Sequence, residues 1–469
     1  MSKKKVRIIN ITCIVIPGAV LTYLNRNFRF DDALIYFRYI ENFINGSGLV
    51  YNMGEKFNGL TSPLYIYLSI LISSITREVV TTQLILNGIL LAAAGITLIY
   101  IFDEMEMRTA GFISSVMIVT AKYFYQVFGM ETNLFIFLSL LTIFFYLKEN
   151  YFALSFSSAF LLLTRGEGLF LILIIFLFLY KEHKDKLKFS LLIPAITLLA
   201  LNSAFNFLYY GNILPQTLFA KIYQGESGFW DNASFILGIE YLFKMFNKQQ
   251  YYIVCLYIFA GIGLIKFYSS KFIMILLLYT LSITVFYTAL NIPDYHWYYS
   301  IHFLTFFILV SLGITKITDL RKKKFRFSRT IKFAVVIVFL YFGLTHLEIA
   351  RLIMNEGPNG NYKYLGEWFR KNTPPDTKIA AVEIGHIGWY SKRYIIDILG
   401  LTNSRNAEFL GKGEYEKWFD FYKPDYIIMH DPYWGQEKSI PVLVKNGYFI
   451  LDSSLTVKGL KIYKSTGKQ

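Results

Sequence analysis

YFALSFSSAFLLLTRGEGLFLILIIFLFLY (151–180) is an apolar run of thirty residues, broken in its middle by Arg165 and Glu167. A helix crossing a hydrocarbon core needs about 20 apolar residues. The run is therefore too long for one crossing. If it crosses once, both charges lie near mid-membrane, at about 2.5–3.5 kcal/mol each before any pairing. If it crosses twice, TRGEG (164–168) is a turn between two short helices and no charge is stranded.

Nine further runs are candidate spans: 7–25, 80–102, 109–127, 132–147, 188–209, 251–268, 271–290, 298–316 and 330–347. A tenth, SPLYIYLSILISSIT (62–76), is short for a crossing. The two ambiguities solve together. Cytoplasmic loops collect Lys and Arg, and this chain clusters its basic residues in loops such as KEHKDKLK (181–188) and RKKKFRFSR (321–329). With 62–76 along the surface and 151–180 split in two, every basic cluster falls inside. The expectation is a multi-span α-helical membrane protein with about eleven transmembrane helices, N-terminus cytoplasmic and C-terminus outside.

Composition agrees. Of 469 residues, 55% are hydrophobic and 17% charged, against about 25% charged in soluble domains. The net charge of +15 resides in short loop clusters, which excludes nucleic acid as its explanation. Cys13 and Cys255 lie in apolar runs and offer neither a disulfide framework nor metal spacing. The N-terminus, MSKKKVRIINITCIVIPGAVLTYL, lacks a small-residue cleavage site and reads as an uncleaved first span.

Residues 1–347 thus read as a transmembrane domain with an outer loop at 26–79. Residues 348–469 are polar. NYKYLGEWFRKN (361–372) is helix-like, and KIAAV (378–382), RYIIDI (393–398), DYIIMH (425–430), YFILD (448–452) and LKIY (460–463) are β-rich. This alternation predicts a C-terminal extracytoplasmic α/β domain. GHIG after a strand is too weak to be a phosphate loop.

The split topology brings five polar loops to one membrane face: FRFDD (28–32), GMET (129–132), TRGEG, YYGNILPQTLFAK (209–221) and NIPDYHWYY (291–299). Asp31 or Asp32 suits the cap of a helix 33–45 ending at Gly46, but a cap needs one carboxylate. The other can serve as a general base toward a hydroxyl. Asp31 is preferred, because it shares a helical face with Ile35 and Arg38, and that arginine could pair with a bound phosphate. Arg165 is either the neutral partner of Glu167 or a guanidinium for an anionic head group. Lys221 and His296 are cations on the same face, or ordinary interfacial residues. Glu131 suits a helix start or a cavity wall. Carboxylates and cations around a membrane-face cavity suit transfer of a group from a lipid-linked phosphate to a hydroxyl.

Several blocks resemble the bacterial GT-C glycosyltransferases related to the mycobacterial terminal arabinofuranosyltransferases, a group also similar to flagellar motor control proteins. They are FDDALIYFRY with GSGLVYNMGEKFNGLTSPLY (30–65), GMET, LTRGEG, YYGNILPQTLFAK and EIGHIGWYSKRYIIDILGLTN (383–403), in family order. The resemblance implies inverting transfer of a sugar, a pentofuranose such as arabinofuranose, from a polyprenyl-phosphate donor to an envelope glycan or other hydroxyl acceptor. It implies the outer face of the cytoplasmic membrane, with Asp31 and Asp32 catalytic. It suggests Glu131, Arg165, Glu167 and Lys221 as cavity residues; with Arg38 and His296, read from the residues themselves, these are the expected donor or substrate contacts. No cofactor is required; an acidic pair is the one feature suited to Mg²⁺ or Mn²⁺. The family usually reads TRPEG, PNT and an acid where this chain has TRGEG, PQT and Asn58. The rival reading is a membrane scaffold or motor partner that keeps the fold without chemistry. A transporter would place its charges at the midplane.

Overall fold

The computed structural model describes residues 3–186, 188–229, 234–240, 252–321, 359–403 and 405–467. The expected span at 330–347 and the boundary at 347/348 lie outside the described residues. The helices of the bundle are α1 (Lys3–Leu24), α2 (Asp31–Ile44), α3 (Pro63–Thr76), α4 (Val79–Glu104), α5 (Arg108–Thr120), α6 (Lys122–Gln126), α7 (Thr132–Leu147), α8 (Tyr151–Thr164), α9 (Gly168–Glu182), α10 (Ile193–Tyr210), α11 (Gln216–Glu226), α12 (Ser234–Leu237), α13 (Tyr252–Phe267), α14 (Lys271–Ala289) and α15 (Ser300–Arg321). The C-terminal unit follows with α16 (Asn359–Asn372), β1 (Lys378–Ala381), α17 (Ile384–Ser391), β2 (Tyr394–Asp397), α18 (Asn406–Gly411), α19 (Lys417–Tyr422), β3 (Tyr426–His430), α20 (Ile440–Lys445), β4 (Phe449–Leu451) and β5 (Leu460–Ser465).

The long apolar run is two helices, α8 and α9, and the break falls at Arg165–Glu167. Arg165 is extended, and a Cβ on Gly168 would come 2.6 Å from Leu161. The chain thus turns tightly at TRGEG. The single span expected at 109–127 is instead broken at Ala121, which is extended between α5 and α6. The break frees the Val119 carbonyl, and the Tyr125 hydroxyl donates to it at 2.8 Å. Such a rescue makes irregular backbone tolerable inside a bundle. Five described helices are long and apolar enough to cross a membrane. Helix α3 has 14 residues, about 21 Å at 1.5 Å each, short of a core of about 30 Å. It is tied to α4 by a polar row: Tyr65 and Ser69 donate to Gln83, and Asn87 donates to Tyr65, each at 2.9 Å.

Ion pairs mark one end of the bundle. Asp103 takes Arg7 at 2.6 Å and Arg108 at 3.1 Å. Glu104 meets Lys148, and Glu182 meets Lys271, both at 2.7 Å. These contacts bring the start of α1, the α4–α5 and α7–α8 turns, the end of α9 and the start of α14 together. The turns at 26–30, 129–131 and 165–167 are one helix length away, at the opposite end.

The C-terminal sheet has the order β2-β1-β3-β5-β4. Strands β1, β2 and β3 are parallel, and β5 runs antiparallel to β3 and β4. Side chains alternate faces along each strand, and the two faces have different neighbours. Ile379, Ile395, Ile428 and Ile462 join the hydrophobic cluster that runs through the helical bundle. Ala380, Ile396, Ile427 and Met429 pack with Trp418, Leu443 and Phe449 in a separate core.

A polar seam fixes the sheet to the first loop of the bundle. Asn52 Nδ2 donates to the Ile395 carbonyl at 2.9 Å, and its Oδ1 accepts from the Ile395 N–H at 3.0 Å. Glu55 accepts from Tyr394 at 2.6 Å and Asn403 at 3.2 Å. Tyr51 donates to the Ile384 carbonyl at 2.8 Å, and Lys392 pairs with Glu41.

Candidate active site

The site starts at the first turn of α2. Phe30 occupies the N-cap position, and neither aspartate caps its own helix. Asp31 caps another one. Its carboxylate accepts from the N–H groups of Gly385 and His386 and sits against His386 Nδ1, each at 2.7 Å. Those residues lie in the first turn of α17, more than 350 positions later. The approach leaves no room for a side chain: a Cβ on Gly385 would fall 1.8 Å from the Asp31 carbonyl oxygen.

Asp32, one residue on, is half-buried. Among the described residues it has no hydrogen bond and no ion pair within 4 Å. Burial pushes its carboxyl up to about 7; Lys221 pulls it down, while Asp31 and Glu131 push it further up. Burial brings the Lys221 ammonium down to about 8, against the pull of Asp32 and Asp397. Lys221 lies on α11, its Nζ 3.9 Å from the Tyr295 ring centre.

The start of helix α11 is held by Asn58 and Gln216, two of the three positions that depart from the pattern of the resembled family. The Gln216 N–H donates to the Asn58 carbonyl at 3.0 Å, and the Asn58 N–H donates to Gln216 Oε1 at 3.4 Å. This reciprocal contact, made by the Gln216 side chain and N–H with the backbone of Asn58, fixes the start of the helix carrying Lys221.

Glu131, Arg165 and Glu167 form a buried network beneath. Arg165 donates to Glu167 Oε1 from Nε at 3.0 Å and Nη2 at 2.6 Å. Its Nη1 lies 3.5 Å from Glu131. Tyr287 donates to Glu167, and Tyr36 donates to Glu131 at 3.1 Å. Rings of Phe135 and Tyr298 lie 5.3 and 5.0 Å from the guanidinium. One cation thus stands between two carboxylates, and the group is not a ready anion site. Arg38 serves the seam: its Nη2 donates to the Arg393 carbonyl at 2.6 Å, and the guanidinium lies over Tyr51 at 4.4 Å. His296 packs edge-on against Phe30 at 5.1 Å, and its carbonyl accepts from Tyr123 at 2.9 Å.

Three residues of the C-terminal unit enter the site without having been singled out in the sequence: Glu383, His386 and Asp397. Burial, then the charges of Asp31 and Asp32, hold the Glu383 carboxyl well above the usual range. Asp397 is fully buried at the end of β2 and accepts from the Leu399 and Thr402 N–H groups at 2.9 Å. Burial pushes it up to about 6, against those N–H groups. All three lie in EIGHIGWYSKRYIIDILGLTN, so the signal was on the page, but not its destination. Among the described residues no three His, Cys, Asp or Glu side chains are gathered to hold a metal ion. No step is therefore assigned to Mg²⁺ or Mn²⁺.

Comparison with known proteins places the fold. Residues 342–463 match a domain of unknown function, DUF8728. No curated protein matches the sequence. Among solved structures, the chain is similar to the oligosaccharyltransferase of Archaeoglobus fulgidus tethered to an acceptor peptide, at 14% identity and TM-score 0.60, over 100% of this chain and 74% of that one. It is also similar to ArnT from Cupriavidus metallidurans in the apo state, at 10% identity and TM-score 0.58, over 97% of each chain. The same ArnT bound to undecaprenyl phosphate matches at 9% identity and TM-score 0.55, over 98% of each. This chain shares the fold of these structures. The Asp31–Asp32 pair stands at the start of a helix in the first loop of that fold.

Proposed function

We propose that this protein is a membrane-integral, inverting glycosyltransferase that moves a sugar from a polyprenyl-phosphate donor to a hydroxyl acceptor, with Asp32 as general base. The observation that carries the proposal is the contrast within the acidic pair. Asp31 spends its carboxylate on α17. Asp32 keeps its own open, beside Lys221, with a pKa near the operating pH, where a general base is most effective. This reverses the preference for Asp31 drawn from the helical face it shares with Arg38.

In this reading Asp32 takes the proton of the acceptor hydroxyl. The acceptor oxygen attacks the anomeric carbon from the side opposite the phosphate. The carbon–oxygen bond to the phosphate breaks, and the lipid phosphate leaves with the electron pair. Lys221 is the cation suited to meet that charge, because its counter-charge is Asp32, which becomes neutral on protonation. Arg165 remains engaged by Glu131 and Glu167 and orients both.

The ArnT neighbour was solved with undecaprenyl phosphate, which supports a polyprenyl-phosphate donor. The ion-paired end of the bundle supports a cytoplasmic N-terminus, with the Asp32 end and the 348–469 domain on the extracytoplasmic face of the cytoplasmic membrane. About eleven crossings complete that topology. A pentofuranose such as arabinofuranose, and an envelope glycan as acceptor, rest on the sequence resemblance alone.

The test is transfer or hydrolysis of radiolabelled polyprenyl-phosphate sugars by the purified chain in lipid. Activity in the wild type, reduced about 10²-fold or more in Asp32→Asn, supports the reading. Silence of the wild type across a broad donor set would make the protein a scaffold that keeps the fold.

A further inference from the structure

Residues 189–220 are 32 consecutive positions without an Asp, Glu, Lys, Arg or His. One crossing needs about 20 apolar residues, and α10, at 18 residues, already measures about 27 Å. The uncharged stretch therefore runs on past the crossing, through the turn at 211–215 and into α11. The first charge after it is Lys221. A connection that left the membrane for water would have no reason to exclude charge over 211–220.

The last residues of α10 mark a membrane interface. The Leu49 N–H donates to the Tyr209 hydroxyl at 2.9 Å, and the Tyr210 hydroxyl donates to the Leu49 carbonyl at 2.8 Å. Lys56 Nζ stands 4.7 Å from the Tyr209 ring centre. Tyrosines are enriched where a span meets the head groups. The chain then stays at that level. Gly211 takes the left-handed conformation, φ 78°, and Asn206 Nδ2 donates to the Ile213 carbonyl at 3.1 Å, which holds the turn against the end of α10.

Helix α11 has two unlike faces. Thr217, Ala220 and Gln224, spaced by three and four, are buried against the protein. Leu218 and Phe219 are 43% and 49% exposed, and Ile213 and Leu214 in the turn are each more than half exposed. Eleven residues of helix, about 16 Å, cannot cross a core of about 30 Å. The other sides of α11 are taken. Asn58 holds its start, the Tyr295 hydroxyl donates to Gln224 Oε1 at 3.3 Å, and Gln224 Nε2 donates to the Leu399 carbonyl at 3.4 Å. The bare face continues that of α10, where Leu208 is 83% exposed. Helix α10 is apolar enough to cross a membrane and buries little of itself in the bundle, so lipid covers it. The same lipid reaches α11.

We infer that α11 is an interfacial helix whose partner is the bilayer: Ile213, Leu214, Leu218 and Phe219 are seated in the acyl boundary of the leaflet at the Asp32 end of the bundle. Lys221 lies two residues beyond Phe219, about 200° around the helix, so lipid and site occupy opposite faces of one helix. An interfacial helix sinks its apolar face about 5–10 Å into the boundary, which sets the Lys221 ammonium at the depth of lipid phosphates. A donor phosphate then meets this cation without leaving the head-group layer. That last consequence rests on the glycosyltransferase reading; the seat in the leaflet does not.

The experiment uses the full-length chain with Cys13→Ser and Cys255→Ser, in nanodiscs of phosphatidylcholine and phosphatidylglycerol, with one bimane-labelled cysteine at a time. Leu218→Cys and Phe219→Cys are compared with Leu208→Cys on α10 and with Glu226→Cys at the exposed end of α11. Lipids carrying a nitroxide high on the acyl chain should quench the labels at 218, 219 and 208 alike, and iodide in the buffer should quench the label at 226 alone. Iodide quenching at 218 and 219 equal to that at 226 would place the helix in water. Shielding from both quenchers would mean that protein, a second copy of this chain included, covers the face. Either result overturns the inference. In the unlabelled chain, Leu218→Ser with Phe219→Ser weakens the seat at exposed positions and should lower kcat/KM for a polyprenyl-phosphate sugar about tenfold; an unchanged value would break the tie between the seat and Lys221. Quenching needs no sugar, so a wild type that transfers nothing counts against the glycosyltransferase reading alone.

Discussion

At one end of the bundle Asp103 is held between Arg7 and Arg108, and Glu104 and Glu182 each meet a lysine. At the other, Asp31, Asp32, Glu131, Glu167, Glu383 and Asp397 gather around Arg165 and Lys221. The first arrangement neutralises charge pair by pair where helices meet water. The second collects more carboxylates than cations under cover. Burial pushes Asp32, Glu383 and Asp397 upward, and neighbouring carboxylates add to it at Asp32 and Glu383. A covered cluster of carboxylates raised by burial and by one another is a functional-site candidate.

The largest break in this comparison comes from removing the open carboxylate. Asp32→Asn keeps the shape of the side chain and forfeits no hydrogen bond among the described residues. Transfer should fall about 10²-fold or more with the thermal midpoint unchanged. A wild-type rate would remove Asp32 from the chemistry. Next comes the clamped neighbour. Gly385→Ala puts a methyl group where the Asp31 backbone already stands, so α17 must move. Limited proteolysis should release the C-terminal unit faster than from wild type, and transfer should fall with it; unchanged protection would mean the seam holds without this contact.

The pH dependence sharpens the same contrast. Asp32 must lose its proton to act and does so as pH rises through about 7, while Lys221 loses its charge above about 8. The kcat/KM profile should therefore be a narrow bell, with limbs that belong to the coupled pair. Asp32→Glu should shift the acid limb, and a flat profile from pH 5 to 9 would dismiss the pair. The smallest effect belongs to the opposite end. Asp103→Asn weakens two ion pairs whose arginines are more than a third exposed; it should cost about 1 kcal/mol or less and leave transfer untouched. A large loss of activity there would mean that the two ends are not independent.

The break at TRGEG was legible because it follows from length: thirty apolar residues exceed one crossing, and the charges say where to cut. The break at Ala121 was not. Residues 109–127 have the length of one span, and the hydroxyl that excuses the extended residue belongs to Tyr125, whose orientation no pattern announces. The carboxylate pair itself was legible as a surplus over what one cap requires. Which member is open was not, since the donors that engage Asp31 come from Gly385 and His386. The sequence resemblance joined the two blocks as motifs of one family, without saying that they touch. Asn58 and Gln216 likewise read as two separate departures until the fold brought them into one contact.

Asn52 has a consequence for the life of the sheet outside this fold. Strand β2 is an edge of that sheet, and an open edge invites another chain to add a strand. The far edge, β4, is blunted by having only three residues. At β2 the Asn52 side-chain amide occupies both the N–H and the C=O of Ile395, as a neighbouring strand would. The guard is synthesised some 340 residues before the edge it protects. A C-terminal unit cut free of the first loop would lose it, together with the cover over Ile379, Ile395 and Ile428, and should pair with itself edge to edge.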